Sequence, residues 1–318
     1  MKVQPQQICS AARGMALPHE ASSLLFHDVV RHSYIAQHRA NSSVTRPLVQ
    51  HHHLRGPLLT GFLPYDDAHA AQETRRNEFL RWKGLKDAER EAACVLRPTL
   101  ISFEAEPTFT LGRRQEDLTP EQSNHLTTDI KIKLRRREGL LEEVAKPVVR
   151  RTQRGGMTTY HGPGQLVLWP VLDMHSSLYP HFTVSSYAHC LEATTQRLLS
   201  TLFGIKTVTS EENPGVWVPD AAGHPARKVA ALGVHHRRHI TGLGTAINVD
   251  ITTEGPGEND LNPWARFEPC GLSAEGLTSL EREVKAGGGD VSSAWDLEEL
   301  AGAWGRLFEE ALLDVTKR

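Results

Sequence analysis

Three short stretches of this sequence hold reactive side chains in settings that ordinary packing does not explain. In Phe267-Glu268-Pro269-Cys270-Gly271-Leu272 a cysteine stands between a proline and a glycine, a tight-turn setting rather than the interior of an apolar helix or strand. Such a turn can expose the sulfur, and the neighbouring backbone N–H groups can stabilise a thiolate or a tetrahedral oxyanion. Glycine at 271 allows a substrate close approach, so Cys270 is read as a nucleophile, although its position names no partner base. The second stretch is Arg227 to Val234, followed by Thr241 to Val249. Lys228 opens an otherwise apolar, strand-like run, where an ammonium is partly desolvated and its proton more easily lost, as suits a general base. An edge lysine reaching out to water fits the same pattern equally well. His235, His236 and His239 are read as surface residues on the turn that follows. The third stretch, Arg154 to Gln165, packs Gly155, Gly156, Gly162, Gly164 and Pro163 among Arg, Thr, Tyr and His side chains, directly before a strand. Glycines let a backbone approach a ligand, and the polar side chains supply oriented donors. A turn-rich hairpin accounts for the glycines but not for the polar side chains that converge there, so the stretch reads as ligand-binding. It carries neither the Gly-Lys-Ser/Thr of a phosphate loop nor a GxGxxG fingerprint.

The elements that must position these groups are legible in part. Asp66 and Asp67 precede Phe79, Leu80 and Trp82, which predicts a helix over 66–82. Short β-prone runs follow at Thr99 to Phe103 and Thr108 to Leu111. Thr119-Pro120-Glu121-Gln122 offers a capping hydroxyl, a pre-set φ and a returning Gln, and so reads as a helix start. Tyr187, Leu191, Leu198 and Leu202 make one helical stripe over 184–203, stopped by Gly204. Leu297, Leu300, Ala301, Trp304, Leu307, Phe308, Ala311 and Leu312 make the strongest amphipathic helix, expected to pack on a sheet. Strands are predicted at 148–150, 166–172, 216–218, 228–234 and 246–249. Interleaved with helices, they give an α/β or α+β class. No internal repeat is visible.

Composition bounds the function. The chain has 318 residues, an apolar fraction of 39% and a formal net charge of −2. One large domain with extensions is expected, and a generally basic nucleic-acid binder is disfavoured. Cys9, Cys94, Cys190 and Cys270 are scattered without a CxxC pair, which disfavours disulfides and structural zinc and places the chain in a reducing compartment. Cys94 and Cys190 read as buried structural cysteines. No run approaches the roughly 20 apolar residues that cross a bilayer, so a soluble protein is expected. The first fifty or so residues hold Lys2, Arg13, Arg31, Arg39 and Arg46 with many serines against only Glu20 and Asp28. This composition suits a mitochondrial targeting segment, or else an unaddressed tail. His51-His52-His53 reads as solvated loop rather than metal site. The basic run Lys131 to Arg137 reads as a solvated face, with docking of an acidic carrier protein as the rarer outcome.

RGGMTTYHGPGQLV, RKVAALGV and FEPCGL, in that order, resemble the three signature blocks of the octanoyltransferases that begin protein lipoylation, and PTFTLGR at 107–113 resembles an upstream block. The resemblance covers approximately Leu63 to Leu280 and points to an acyl-carrier-protein-dependent octanoyl (lipoyl) protein transferase of the mitochondrial, fungal type. It implies the α/β (α+β) fold of biotin and lipoate protein ligases, with mixed sheets, flanking helices and an acyl tunnel along the glycine-rich block. The catalytic domain would span 56–318 with an insertion at about 113–146, behind an extension over 1–55. The family's catalytic pair falls on Cys270 and Lys228. Its substrate-contacting positions fall on Arg154, Gly155, Gly156, Met157, Thr158, Thr159, Tyr160 and His161, on Ala231, Leu232 and Gly233, and on Gly244, Thr245 and Ala246. Met157 and Leu243 depart from the family, which often has Gln at the first position and an aromatic or His at the second. The resemblance implies no metal and no cofactor. It implies octanoyl acyl-carrier protein as donor, and as acceptors the lipoyl domains of 2-oxoacid dehydrogenase complexes and the glycine-cleavage H protein, in the mitochondrial matrix. The rivals are an ATP-dependent lipoate or biotin ligase of the same fold and a non-catalytic acyl-carrier-binding protein.

Overall fold

A computed structural model describes residues 46–57, 61–136, 139–253, 262–267, 276–290 and 295–314. Along the chain run β1 (Gln50–Leu54), α1 (Tyr65–Lys83), α2 (Asp87–Ala92), β2 (Thr99–Phe103), β3 (Thr108–Leu111), α3 (Pro120–Leu126), β4 (Ile130–Arg136), β5 (Gly139–Ala145), β6 (Val148–Arg151), β7 (Thr158–His161) and β8 (Gln165–Val171). There follow α4 (Val184–Phe203), β9 (Val208–Thr209), β10 (Gly215–Pro219), β11 (Pro225–Arg237), β12 (Ile240–Asn248), a 3-10 turn (Pro263–Arg266), α5 (Leu280–Ala286) and α6 (Leu297–Leu313).

The helix ends follow local chemistry. Asp66 and Asp67 lie in the first turn of α1, with Arg81 and Lys83 in the last, each complementing the helix dipole. Thr119 and Gln122 close a capping box on α3, and Thr183 accepts a hydrogen bond from the Ser186 N–H at the start of α4. Gly204 ends α4 in the left-handed conformation, φ 66°, which an L side chain resists. Asp296 caps α6 through the Glu299 N–H.

Seven strands form the main sheet in the order β1-β2-β8-β12-β11-β10-β9, and β6-β3-β7 form a smaller one. In the main sheet only β1 and β2 pair in parallel. β8 is buried along its whole length, because its alternating side chains serve two cores. Leu166 and Leu168 join the core under α4 and α6, which also takes in Leu191, Leu198 and Trp304. Val167, Trp169 and Val171 join the core with Tyr65, Ala68 and Phe79 of α1. A sheet covered on both faces reads as a continuous apolar run rather than an alternating one. The observed class, mixed sheets with helices on their faces, is the one expected.

Several expectations need correction. His51, His52 and His53 are not loop: they form edge strand β1, where the His51 and His53 rings share the Ser102 hydroxyl at 2.7 and 2.8 Å. Burial pushes the His51 imidazole down to about 4, so it is neutral at pH 7 and tolerated beside its neighbours. The sheet thus takes in residues on the N-terminal side of position 55. Cys190 is buried on α4, but Cys94 is exposed in the loop after α2. His235 and His236 lie on β11, with only His239 on the turn. The insertion folds as α3 and the β4–β5 hairpin, with Lys131 and Lys133 on β4. Residues 1–45, and with them most of the stretch expected to be a targeting segment, lie outside the described residues. No described helix is long and apolar enough to cross a membrane.

Candidate functional site

Between the glycine-rich loop of the small sheet and strands β11 and β12 of the main sheet opens a cleft of about 330 Å³. Its floor is short-chained. Ala231, Leu232 and Gly233 from β11 face Gly244, Thr245 and Ala246 from β12, in the register Ala231↔Ala246, Leu232↔Thr245, Gly233↔Gly244. At Gly244 an added Cβ would stand 2.2 Å from the Leu168 carbonyl oxygen, so the strands approach as closely as they do because the side chain is missing. Trp169, Leu243 and Tyr65 make the apolar part of the wall.

The opposite wall is the loop Arg154 to Gly156 with Thr159 and His161 of β7. Three backbone bonds strap the loop down: Gly112 N–H to Met157 O, Arg113 N–H to Arg154 O and Arg114 N–H to Gly156 O, at 3.1, 2.9 and 3.1 Å. Arg154 is buried, and its Nε donates to Thr110 Oγ1 at 3.2 Å. Its stem crosses to β11, where a Cβ on Gly233 would meet Arg154 Cδ at 3.4 Å. Arg154 therefore ties the two sheets together at the cleft.

Lys228 enters from β11 and is only 6% exposed. Its Nζ donates to Pro214 O at 3.3 Å and stands 4.6 Å from the centroid of the Trp217 ring. A carbonyl dipole and an aromatic face are both stabilising surroundings for a cation withdrawn from water. Two features aim it. The register between β10 and β11 shifts beside it, from Val216↔Ala230 to Trp217↔Lys228, and such a bulge re-aims a side chain. Gly215, at φ 139°, leaves room for the lysine stem, since a Cβ there would meet Lys228 Cδ and Cε at 3.4 Å and Ala230 O at 2.5 Å. Glu192 on α4 accepts the Gly215 N–H at 2.8 Å. Burial raises its carboxyl above the usual range, against the pull of that bond and of the Lys228 charge.

A row of buried polar groups connects the two walls from behind. His161 stacks on Tyr65, centroids 5.6 Å apart, and its Nδ1 lies 2.7 Å from Gln165 Oε1. Burial pushes its imidazole down to about 4, so it is neutral at pH 7. Gln165 Nε2 donates to Tyr160 O and Asn248 Oδ1, at 3.3 and 3.0 Å. Asn248 Nδ2 donates to Thr278 O at 3.1 Å.

Of the residues singled out from the sequence, Lys228, Arg154, Gly155, Gly156, Thr159, His161 and the six on β11 and β12 line this cleft. Met157, Thr158 and Tyr160 do not. Met157 is exposed, Thr158 Oγ1 donates to Gln115 Oε1 at 2.8 Å, and Tyr160 packs away from the cleft on Phe109 and Trp264. The period of two along β7 explains the split: Thr159 and His161 face one side, Thr158 and Tyr160 the other. Cys270 lies outside the described residues. The chain on either side of it is placed. Phe267 packs edge-on against Phe109, and Leu277 pairs with Lys228 itself in an isolated parallel bridge. Tyr65, Trp169, Pro214 and Trp217 were not singled out from the sequence. Nothing local marks them, because Tyr65 at the start of α1, Pro214 before β10, and Trp169 and Trp217 on their strands are brought there by tertiary packing and pairing. Leu243, which was singled out as a departure, holds a left-handed φ of 61° and gives its N–H to Gln72 Oε1 at 3.2 Å. Among the described residues no group of three or more His, Cys, Asp and Glu could hold a metal ion.

Comparison with known proteins gives the lineage. Residues 88–299 match the lipoyl protein ligase A/B catalytic domain. An octanoyltransferase of Mycobacterium leprae is 35% identical over 187 residues, covering 58% of this chain and 66% of that protein, so the chain spans a little under two thirds of that relative. A mitochondrial octanoyl-[acyl-carrier-protein]:protein N-octanoyltransferase of Danio rerio is 33% identical over 59% of this chain and 68% of its own length. Among solved structures, a bi-partite lipoate protein ligase of Thermoplasma acidophilum superposes with TM-score 0.46 at 14% identity, over 86% of this chain and 87% of that one. With the match spanning 88–299, well over half its length, this chain belongs to the lipoyl protein ligase A/B catalytic-domain family.

Proposed function

We propose that this chain is an octanoyltransferase that moves an octanoyl group from acyl-carrier protein to a lysine of lipoyl domains through a thioester on Cys270. The observation that carries the reading is Lys228: a buried amine set over Trp217 in the wall of an apolar-floored cleft, paired through its backbone with the chain that follows Cys270. The cleft volume falls at the lower end of the roughly 300–1,000 Å³ typical of small-molecule sites, as suits a short acyl chain.

In the first step Lys228, acting from its neutral form, takes the Cys270 thiol proton and becomes the cation that its surroundings favour, and the thiolate attacks the thioester carbonyl of the octanoyl carrier. Backbone N–H donors near Gly271 hold the tetrahedral oxyanion, the C–S bond to the carrier breaks, and Lys228 gives the proton to the departing carrier thiolate, releasing it as the thiol. In the second step the ε-amine of the acceptor lysine attacks the Cys270 thioester. Lys228 takes its proton and delivers it to the leaving Cys270 sulfur. The incoming thioester is already activated, so neither nucleotide nor metal enters. The acceptors are the lipoyl domains of 2-oxoacid dehydrogenases and the glycine-cleavage H protein. The place is the mitochondrial matrix, a reading supported by the basic, serine-rich N-terminal segment and by the mitochondrial relative from Danio rerio.

Incubation of the purified protein with octanoyl-carrier, without ATP, and measurement of its intact mass tests this. One octanoyl group should be gained by the wild type and absent from Cys270→Ser. An adduct that forms only with free octanoate and ATP would turn the assignment to a ligase, and carrier binding without adduct or product would turn it to a carrier-binding protein.

A further inference from the structure

We infer that Thr278 is a positioning residue for the acyl-transfer centre, the hub at which buried hydrogen bonds fix the chain that follows Cys270 against the lysine strand. The inference rests on the reading of Cys270 and Lys228 as the reacting pair.

Thr278 is fully buried and uses each of its polar groups on a different part of the site. Its N–H donates to the Lys228 carbonyl at 3.0 Å. Its carbonyl accepts from Asn248 Nδ2 of β12 at 3.1 Å. Its hydroxyl donates to Glu283 of α5, whose carboxylate also takes Nε and Nη2 of Arg227 at 3.0 Å each. Arg227 is the residue before Lys228, so Thr278 grips both backbone and side chain of the lysine's own strand.

The direction of these bonds is fixed. Both Gln165 Nε2 bonds end on oxygen acceptors, so its Oε1 is the atom that faces His161, and the His161 Nδ1 must carry the hydrogen. From the cleft inward, His161 donates to Gln165, Gln165 to Asn248 and Asn248 to the Thr278 carbonyl, while the Thr278 N–H, part of the preceding peptide group, separately holds the Lys228 carbonyl. Aligned bonds polarise one another, and a low-dielectric setting makes each missing partner costly. A row of four buried polar residues is not needed to seal a sheet, where apolar side chains would pack as well. What it specifies is the alignment of the glycine-rich wall, β12, β11 and the segment that follows Cys270. Reacting groups misplaced by about 1 Å lose on the order of 100-fold in rate.

The test compares Thr278→Val, which keeps shape and backbone bonds but removes the hydroxyl donor, with Thr278→Ser, which keeps the donor. Asn248→Asp, which puts an oxygen where Nδ2 donates, is an independent second variant. For each, kcat and KM for octanoyl-carrier, the pH profile of Cys270 alkylation and the melting temperature are measured. The expected result for Thr278→Val and Asn248→Asp is a kcat lower by about 10- to 100-fold with KM within about 2-fold, and an alkylation profile moved to higher pH. Thr278→Ser should lie close to wild type. Unchanged kcat and alkylation profiles in the folded variants would overturn the inference. So would losses that merely follow the folded fraction and that Thr278→Ser does not restore. If Cys270→Ser keeps full transfer activity, the reacting pair is wrong. If Cys270→Ser is dead while Thr278→Val is normal, only the positioning role falls.

Discussion

The cleft wall and the β4–β5 hairpin are both written in strand-prone residues, and they treat their polar groups in opposite ways. In the wall, β8 and β12 are buried along their whole length, and the polar side chains among them are bonded one to the next. In the hairpin, Ile130 and Ile132 are buried with Phe62 and Ala145 against them, while Val144 is 66% exposed and stands opposite Lys131. Lys131 is exposed and Lys133 half-buried, so water shares in satisfying these charges. In the wall no water does so, and each group must be placed within hydrogen-bond reach of another. Fixed geometry is what the proposed acyl transfer requires, so that proposal puts the chemistry in the wall and not in the run of charge.

The contrast is most exposed to failure at Lys228. Lys228→Met keeps much of the stem packing over Gly215 and Trp217 but removes the amine, and transfer from octanoyl-carrier should fall about 1,000-fold, inside the range of general acid–base effects. A loss that small-angle scattering or circular dichroism traces to unfolding would move Lys228 from chemistry to architecture.

His161 sharpens the comparison through pH. Its imidazole is held at about 4 in the folded protein, while the unfolded chain has the ordinary value near 6.5. Between those values the unfolded state binds a proton that the folded state refuses, so stability is lost as pH falls from about 6.5 towards 4. At pH 5 the loss from this one group is about 2 kcal/mol relative to pH 7. Urea titrations at the two pH values should show that difference shrinking in His161→Gln. An equal slope in both proteins would mean that water reaches the ring.

The smallest effect belongs to the hairpin. Lys131→Glu and Lys133→Glu should each change unfolding free energy by no more than about 0.5 kcal/mol, measured the same way. A change as large as that at His161 would erase the distinction between the two regions.

What could be read from the sequence follows the same division. Signals carried within a few residues, such as the Thr119 capping box, the Gly204 stop and the stripe of α6, place helices almost to the residue. The glycine-rich block reads as a wall because glycine and polar residues concentrate there, and Arg154, Gly155, Gly156, Thr159 and His161 do line the cleft, while Met157, Thr158 and Tyr160 do not. β1 did not, since three histidines have no apolar alternation and become a strand only by pairing with β2. β11 runs from 225 to 237, longer than the apolar run predicts, because its polar ends are held by β10 and β12. Pro214, Trp217, Glu192 and Thr278 owe their places to register and to the packing of α4 and α5 on the sheet, none of which leaves a mark in their own neighbourhoods.

An indole lies beneath the Lys228 ammonium, its Nε1–H tied to Asn213 O at 3.0 Å. A charge held close over an indole plane shifts its emission, so protonation or neutralisation of that amine is expected to show in the light Trp217 gives off. The protein thereby carries its own optical probe, aimed at an amine whose charge changes in the proposed transfer.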